Sequence, residues 1–293
     1  MNAIRVGCQA NAWQREFKLQ DGRDKLDEAL RQMAAAGYEG AELPLWSIPD
    51  LERPEEVRDL LAHHNLAFIA IHVGGTFYED APFHDQTLPT AERAARCAAA
   101  AGAESIVLSA AGKRAPLTTV PFDAARPHPT TPPAHTRKSP DELRTQRDNL
   151  AHVAKLNRDL GLATHYHNHV AEFDDDFEEL RSILEVDPAL LSLCFDIGNA
   201  ARPLPGAALV SCMERFWDRI GYLHFKDIRG DTLAESLGEG EIDFAPIGAL
   251  ARRRGFCGWA AAEIEPARGM VAHRSVAEDA RLSARFIRAT LGT

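Results

Sequence analysis

Short apolar runs alternate along this chain with longer segments whose apolar positions recur at helical spacing, and the alternation repeats eight times. The strand-like runs are 4–10, 40–43, 66–73, 105–109, 162–167, 191–196, 220–226 and 259–265. Between and after them lie the helix-like segments 24–36, 54–64, 90–101, 141–160, 177–184, 209–217, 244–253 and 276–290. Local signals mark several boundaries: Pro54 opens the second helix, Ser139-Pro140 precedes the fourth, and Gly161 follows it. Eight strand–helix units are the count that a closed (β/α)8 TIM barrel requires, so the expected fold is α/β, one barrel domain over residues 1–293. An open doubly wound sheet would carry a glycine-rich dinucleotide fingerprint after its first strand, and none is present. One stretch breaks the rhythm. Residues 113–140 hold seven of the 17 prolines and have no periodicity. Following the fourth strand, they form a long loop on the catalytic face of a barrel, readable as a lid or as a solvated extended segment.

The charge balance narrows the partners. A formal net charge of −10 over 293 residues does not suit a nucleic-acid groove, which needs clustered basic charge, or attraction to an anionic membrane. No apolar run approaches the roughly 20 residues needed to cross a bilayer, and the N-terminus enters the first strand without a signal peptide. Five cysteines without CxxC spacing fit free thiols in a reducing cytoplasm. The expectation is a cytoplasmic protein whose partner is a small molecule; homo-oligomerisation is compatible with such a barrel.

The chemistry gathers at the carboxyl ends of the last four strands. These runs end in His167-Asn168-His169, Asp196, His224-Phe225-Lys226 and Glu263-Ile264-Glu265. Strand alternation puts Glu263 and Glu265 on the face of Ala261, His224 and Lys226 on that of Tyr222, Asp196 on that of Cys194, and His165 with His167. In a parallel barrel all these ends meet at one mouth, where barrel enzymes build their sites. Each residue alone has a plainer reading: a hydrogen-bonded histidine, a turn-capping aspartate, a solvated glutamate. Together they form a carboxylate and imidazole cluster that would repel itself unless a cation neutralised it.

The order of motifs resembles the xylose-isomerase-like barrel superfamily, the sugar isomerase/epimerase and inosose dehydratase group. The resemblance rests on Gly40-Ala41-Glu42-Leu43, Tyr166-His167-Asn168-His169 with Glu172-Phe173, Phe195-Asp196-Ile197-Gly198-Asn199, His224-Phe225-Lys226-Asp227, Gly238-Glu239-Gly240, and Gly258-Trp259 running into Glu263. It covers essentially the whole chain and is more specific for the superfamily than for a reaction within it. It implies one divalent cation held by Glu, Asp, His and Glu at the ends of strands five to eight. Asp196, His224 and Glu263 match the last three, with Glu265 a rival to Glu263. At the fifth strand this chain departs from the common Glu-Asn-His, and His167 takes the fourth ligand position with His165 behind it. Such a donor set suits Mn, Co or Zn, and Mg less well.

The implied chemistry is proton abstraction next to the carbonyl of a keto-sugar or keto-polyol, leading to epimerisation, isomerisation or inosose-type dehydration. Glu265 or a fifth-strand histidine, His169 or His165, would be the base; Lys226 would offset charge or donate a proton. His72, Glu42 and Trp13, near the ends of the first three strands, are candidate substrate contacts. Gly238-Glu239-Gly240 could form an anion nest, but its acidic neighbours suit a phosphate poorly, so the substrate is expected to be unphosphorylated. Two other classes compete: a non-catalytic sugar-binding barrel, and an endonuclease-like phosphodiesterase, which would need further ligands and a basic groove.

Overall fold

The computed structural model describes residues 4–113, 137–230, 232–264 and 273–293. Eight parallel strands close into one barrel: β1 (Ile4–Gln9), β2 (Gly40–Pro44), β3 (Ala67–Gly75), β4 (Ser105–Ala110), β5 (Ala163–His167), β6 (Ser192–Asp196), β7 (Ile220–Phe225) and β8 (Gly258–Ala262). Consecutive strands are neighbours, and closure comes from β8 pairing with β1, where Ile4 lies opposite Gly258 and Cys8 opposite Ala262. The fold is the (β/α)8 TIM barrel that the eightfold pattern predicts. A helix follows each strand: α1 (Arg23–Ala36), α2 (Pro54–His63), α3 (Leu88–Ala101), α4 (Pro140–Asp159), α5 (Glu178–Ile183), α6 (Ala207–Arg215), α7 (Ala245–Arg253) and α8 (Val276–Leu291).

Alternation sorts the strand residues into two apolar layers. Leu193, Phe195, Leu223, Phe225, Ala260 and Ala262 point outward into the core shared with the helices. Cys194, Tyr222, Trp259 and Ala261 point inward and pack with Ile69, Ala70 and Val107 inside the barrel. This is the sidedness the sequence implies, and it fixes which side chains can reach the mouth. Helix ends follow their local signals. Ser139 caps α4 in a reciprocal box, with Glu142 N–H donating to Ser139 Oγ at 3.2 Å and Ser139 N–H to Glu142 Oε2 at 2.6 Å. Gly161, just beyond α4, takes a left-handed φ of 80°.

Most of the proline-rich segment, residues 114–136, lies outside the described residues. Its flanks are tied to the helical layer: Lys113 Nζ donates to both carboxylate oxygens of Glu142 at 2.7 and 2.8 Å, and buried Lys138 pairs with Glu179. Among the described residues no helix is long and apolar enough to cross a membrane.

Candidate metal centre

The carboxyl ends of β5 to β8 bring His167, Asp196, His224 and Glu263 together. One nitrogen or oxygen of each lies within 4.8 Å of the others, and all four are buried. Register explains the convergence. Asp196 of β6 pairs with His224 of β7, which pairs with Ala261 of β8, and Glu263 N–H continues that ladder onto Phe225 O at 2.9 Å. Within the group, His167 Nε2 lies 3.3 Å from Asp196 Oδ2 and 3.1 Å from Glu263 Oε2, while His224 Nδ1 lies 2.7 Å from Glu263 Oε2. Lys226 reaches the same group, its Nζ 2.7 Å from Glu263 Oε1 and 3.6 Å from Asp196 Oδ2.

The side chains that aim these groups come from the same motifs. Asn168 acts as a side-chain rung between two strand ends: its Nδ2 donates to Asp196 O at 3.1 Å, and its Oδ1 accepts from Asp196 N–H at 2.9 Å. Glu172 accepts from Tyr166 Oη at 2.6 Å and from His169 N–H at 3.0 Å, folding the chain after β5 back on itself. Asp196 Oδ1 caps the short helix Ile197–Ala201 by accepting from Asn199 N–H at 2.6 Å, which leaves Oδ2 to face His167. Gly198 is required by packing, since a Cβ there would lie 2.7 Å from Lys226 Cβ and Cγ. A larger residue would push the ammonium out of the cluster.

Asp227 explains the Gly-x-Gly loop. Its Oδ2 accepts from Gly238 N–H and Gly240 N–H, both at 2.9 Å, and its Oδ1 from Ile228 N–H at 2.9 Å and Ile242 N–H at 3.4 Å. The nest suggested by the sequence is thus filled by the chain's own carboxylate. A Cβ on Gly240 would lie 2.2 Å from Asp227 Oδ1. Asp227→Asn removes two of these acceptor positions and the charge. Hydrogen bonds to a charged group are worth about 1.5–3 kcal/mol each, so the variant should be less stable by at least about 3 kcal/mol. Thermal unfolding of the metal-free protein would show it, and a parent-like midpoint would refute the clamp's role.

Electrostatics in the cluster are closely balanced. Burial would raise the Glu42 and Glu263 carboxyls, but His224 beside the first and Lys226, His167 and His224 beside the second hold both well below the usual range. Burial would lower His167, yet its hydrogen bonds and proximity to Asp196 and Glu263 raise it to about 9. His224 is likewise raised well above its usual value, because Cys194, Glu42 and Glu263 outweigh burial. Three buried carboxylates (Glu42, Asp196, Glu263) therefore face one ammonium and two imidazoles that take up protons. One divalent cation with neutral imidazoles would balance the same charge. With two nitrogen and two oxygen donors, the residues fit such an ion.

The other expected site residues fall in different places. His169 is exposed at the mouth, its ring 5.1 Å from that of His167. The His72 ring lies 5.0 Å from that of His167, with Nδ1 3.0 Å from Gln9 Nε2 and Nε2 3.0 Å from Ser109 Oγ. Glu42 has no exposed surface: its Oε1 accepts from Gln9 Nε2 at 2.6 Å and its Oε2 from His224 Nε2 at 2.9 Å, so the expected sugar contact is replaced by contacts within the barrel. Trp13 is also fully buried, with Nε1 donating to Gln32 Oε1 at 2.7 Å, so its ring packs in the core instead of offering a face to a sugar. His165 lies deeper, its Nδ1 2.6 Å from Ser192 Oγ, and is not among the four clustered side chains. Glu265 lies outside the described residues. Gln9 and Ser109 were not singled out from the sequence. The available signal was a polar residue on the barrel-facing parity at a strand's carboxyl end, Gln9 sharing its face with Gly7.

Beside His169 a cleft of about 460 Å³ opens between the ends of β3 and β4, lined in part by Gly75, Thr76, Thr87 and Ser109. No lysine or arginine is among the described residues lining it.

Comparison with known proteins gives a consistent picture. A family model described as xylose isomerase-like TIM barrel matches residues 30–290. An inosose dehydratase of Geobacillus kaustophilus is 32% identical over 158 residues, 44% of this chain and 51% of that protein, so the match spans about half the relative's length. An inosose dehydratase of Mesomycoplasma hyopneumoniae is 25% identical over 237 residues, 79% of this chain and 72% of the relative. Among solved structures, a D-allulose 3-epimerase from Methylomonas sp. superposes with a TM-score of 0.75 at 18% identity, covering 99% of each chain, a likeness of fold.

Proposed function

The chain belongs to the xylose isomerase-like TIM barrel family, and from that premise we propose that it is a divalent-metal-dependent dehydratase of a keto-polyol of the inosose type. The observation that carries the reading is the buried His167–Asp196–His224–Glu263 group at the barrel mouth. The relatives named inosose dehydratase support the choice of reaction. The hydroxyl-rich cleft beside His169, with no lysine or arginine among the described residues lining it, and the filling of the Gly-x-Gly nest by Asp227 support an uncharged, unphosphorylated substrate.

His167, Asp196, His224 and Glu263 would hold the ion. Bound there, it supplies Lewis acidity, polarising a substrate carbonyl and making the neighbouring C–H more acidic. His169 would accept that proton, a role supported by its exposure beside the His167 ring. Lys226, anchored on Glu263, donates a proton to the departing β-hydroxyl. One C–H and one C–O bond break, a C=C bond forms next to the carbonyl, and water leaves. Gln9 Nε2 lies 3.0 Å from His72 Nδ1, Glu42 Oε1 3.3 Å from the same nitrogen, and Ser109 Oγ 3.0 Å from His72 Nε2; with the His72 proton on Nε2, the serine proton would be left to reach a substrate hydroxyl.

Elemental analysis of the purified protein beside an Asp196→Ala, His224→Ala double variant tests the metal reading. We expect about one Mn, Co or Zn per parent chain, the number that four donors on one ion imply, and none in the variant. Inososes and ketoses incubated with the loaded protein in deuterium oxide then test the reaction. Loss of one water from the product mass supports dehydration, whereas carbon-bound deuterium uptake with no water lost would replace it with epimerisation. A parent protein that takes up no metal after reloading would overturn the reading and favour a sugar-binding barrel.

A further inference from the structure

Behind the four clustered side chains lies a second layer of buried polar groups from the opposite wall of the barrel. Glu42 of β2 is fully buried, and each of its oxygens is engaged: Oε2 accepts from His224 Nε2 at 2.9 Å, and Oε1 from Gln9 Nε2 of β1 at 2.6 Å. Gln9 is itself fully buried, and its amide nitrogen also lies 3.0 Å from His72 Nδ1 on β3. With no exposed surface Glu42 cannot touch a substrate, and it is not one of the four side chains whose donor atoms converge. Its one contact with that group is the far nitrogen of His224.

That contact has a directional consequence. His224 presents Nδ1 to the cluster, 2.7 Å from Glu263 Oε2. An imidazole nitrogen can hold a cation only through its lone pair, so when Nδ1 is used the ring's remaining proton must sit on Nε2. A fixed carboxylate at Nε2 selects that tautomer, sets the ring's rotation and makes Nδ1 a better donor. A neutral acceptor in the same place would supply the orientation with less of the basicity. Gln9 prevents the carboxylate from turning, since its amide holds the second oxygen.

We propose that Glu42, braced by Gln9, is a positioning residue that fixes His224 with Nδ1 turned toward the metal centre. This rests on the metal reading above, and the test separates the two. Co(II) is titrated into the purified parent and into Glu42→Gln, followed by calorimetry and by the ion's visible absorption. The expected result is one ion per chain in both, with a Kd weaker by about 10–100-fold in the variant, the usual range for losing an outer partner of a ligating histidine, and an altered absorption spectrum. A merely structural role would lower the thermal midpoint of the metal-free variant while leaving Kd and spectrum as in the parent, and that result overturns the proposal. Should Glu42→Gln fail to fold, the shorter Glu42→Asp is judged by the same Kd criterion. A parent that binds no Co(II) overturns both readings; a parent that binds and a variant that matches it overturns this one alone.

Discussion

Lys226→Met should bind the divalent cation more tightly than the parent and yet turn over at least about 100-fold more slowly. The two halves have separate causes. Lys226 Nζ sits 2.7 Å from Glu263 Oε1 and 3.6 Å from Asp196 Oδ2, a unit positive charge next to two of the four proposed ligands. Removing it leaves the carboxylates to the cation alone. Charges a few ångströms apart interact by several kcal/mol even at an effective dielectric constant of about 20, so a gain of at least about tenfold in affinity is expected. Turnover moves the other way, because a positioned proton donor is worth about 10²–10⁴ in rate. Methionine keeps the length and apolar stem of lysine, so Gly198, which a Cβ would bring within 2.7 Å of that stem, still accommodates it. Metal titration and steady-state kinetics on the same preparation give both numbers. Tighter binding with turnover within a few-fold of the parent would reduce Lys226 to an ion-pair partner and remove it from the mechanism.

How far the sequence anticipates this arrangement depends on the range over which each feature is specified. Strand and helix positions come from periodicities a few residues long, and the boundaries read from them agree with the structure to within two or three residues. The third helix, for instance, is expected from Thr90 and begins at Leu88. Sidedness is equally local, so the inward set Cys194, Tyr222 and Ala261 could be read from alternation alone. Depth along the barrel axis is different. It is fixed by how strands slide against each other, and irregularities at Ala41/Glu42 and Leu193/Cys194 shift that register. Glu42 looks like a mouth residue because it lies near a strand end, but the register draws it level with Ala70 of β3 and opposite Gln9 of β1, below solvent. Trp13 lies in a turn whose packing against the helical layer no short pattern encodes. The support network, with Asn168 bridging two strand ends and Asp227 clasping its own loop, was visible as a set of motifs whose physical purpose only the three-dimensional contacts supply.

Loading the site should release close to two protons per ion at neutral pH, and affinity should climb steeply with pH. In the metal-free protein His167 titrates at about 9, and His224 lies well above its usual value, so both imidazoles carry an extra proton at pH 7.5. A cation can use neither until that proton leaves. With both rings raised, log affinity should rise by nearly two for each pH unit, about 100-fold from pH 6.5 to 7.5, and less steeply once His167 titrates at about 9. The metal-free protein should show the opposite trend in stability. Unfolded histidine titrates at about 6.5, and these two are raised in the folded chain. The stabilisation that their protonated forms gain from Asp196, Glu263 and Glu42 is complete below about pH 6.5; the His167 share is lost as pH rises through about 9, and the His224 share as that ring in turn gives up its proton. Thermal midpoints of the metal-free and loaded proteins should therefore diverge over that interval. Calorimetric titration in buffers of different ionisation enthalpy counts the protons directly. A release near zero would mean that the imidazoles are already neutral in the metal-free chain and would overturn this prediction.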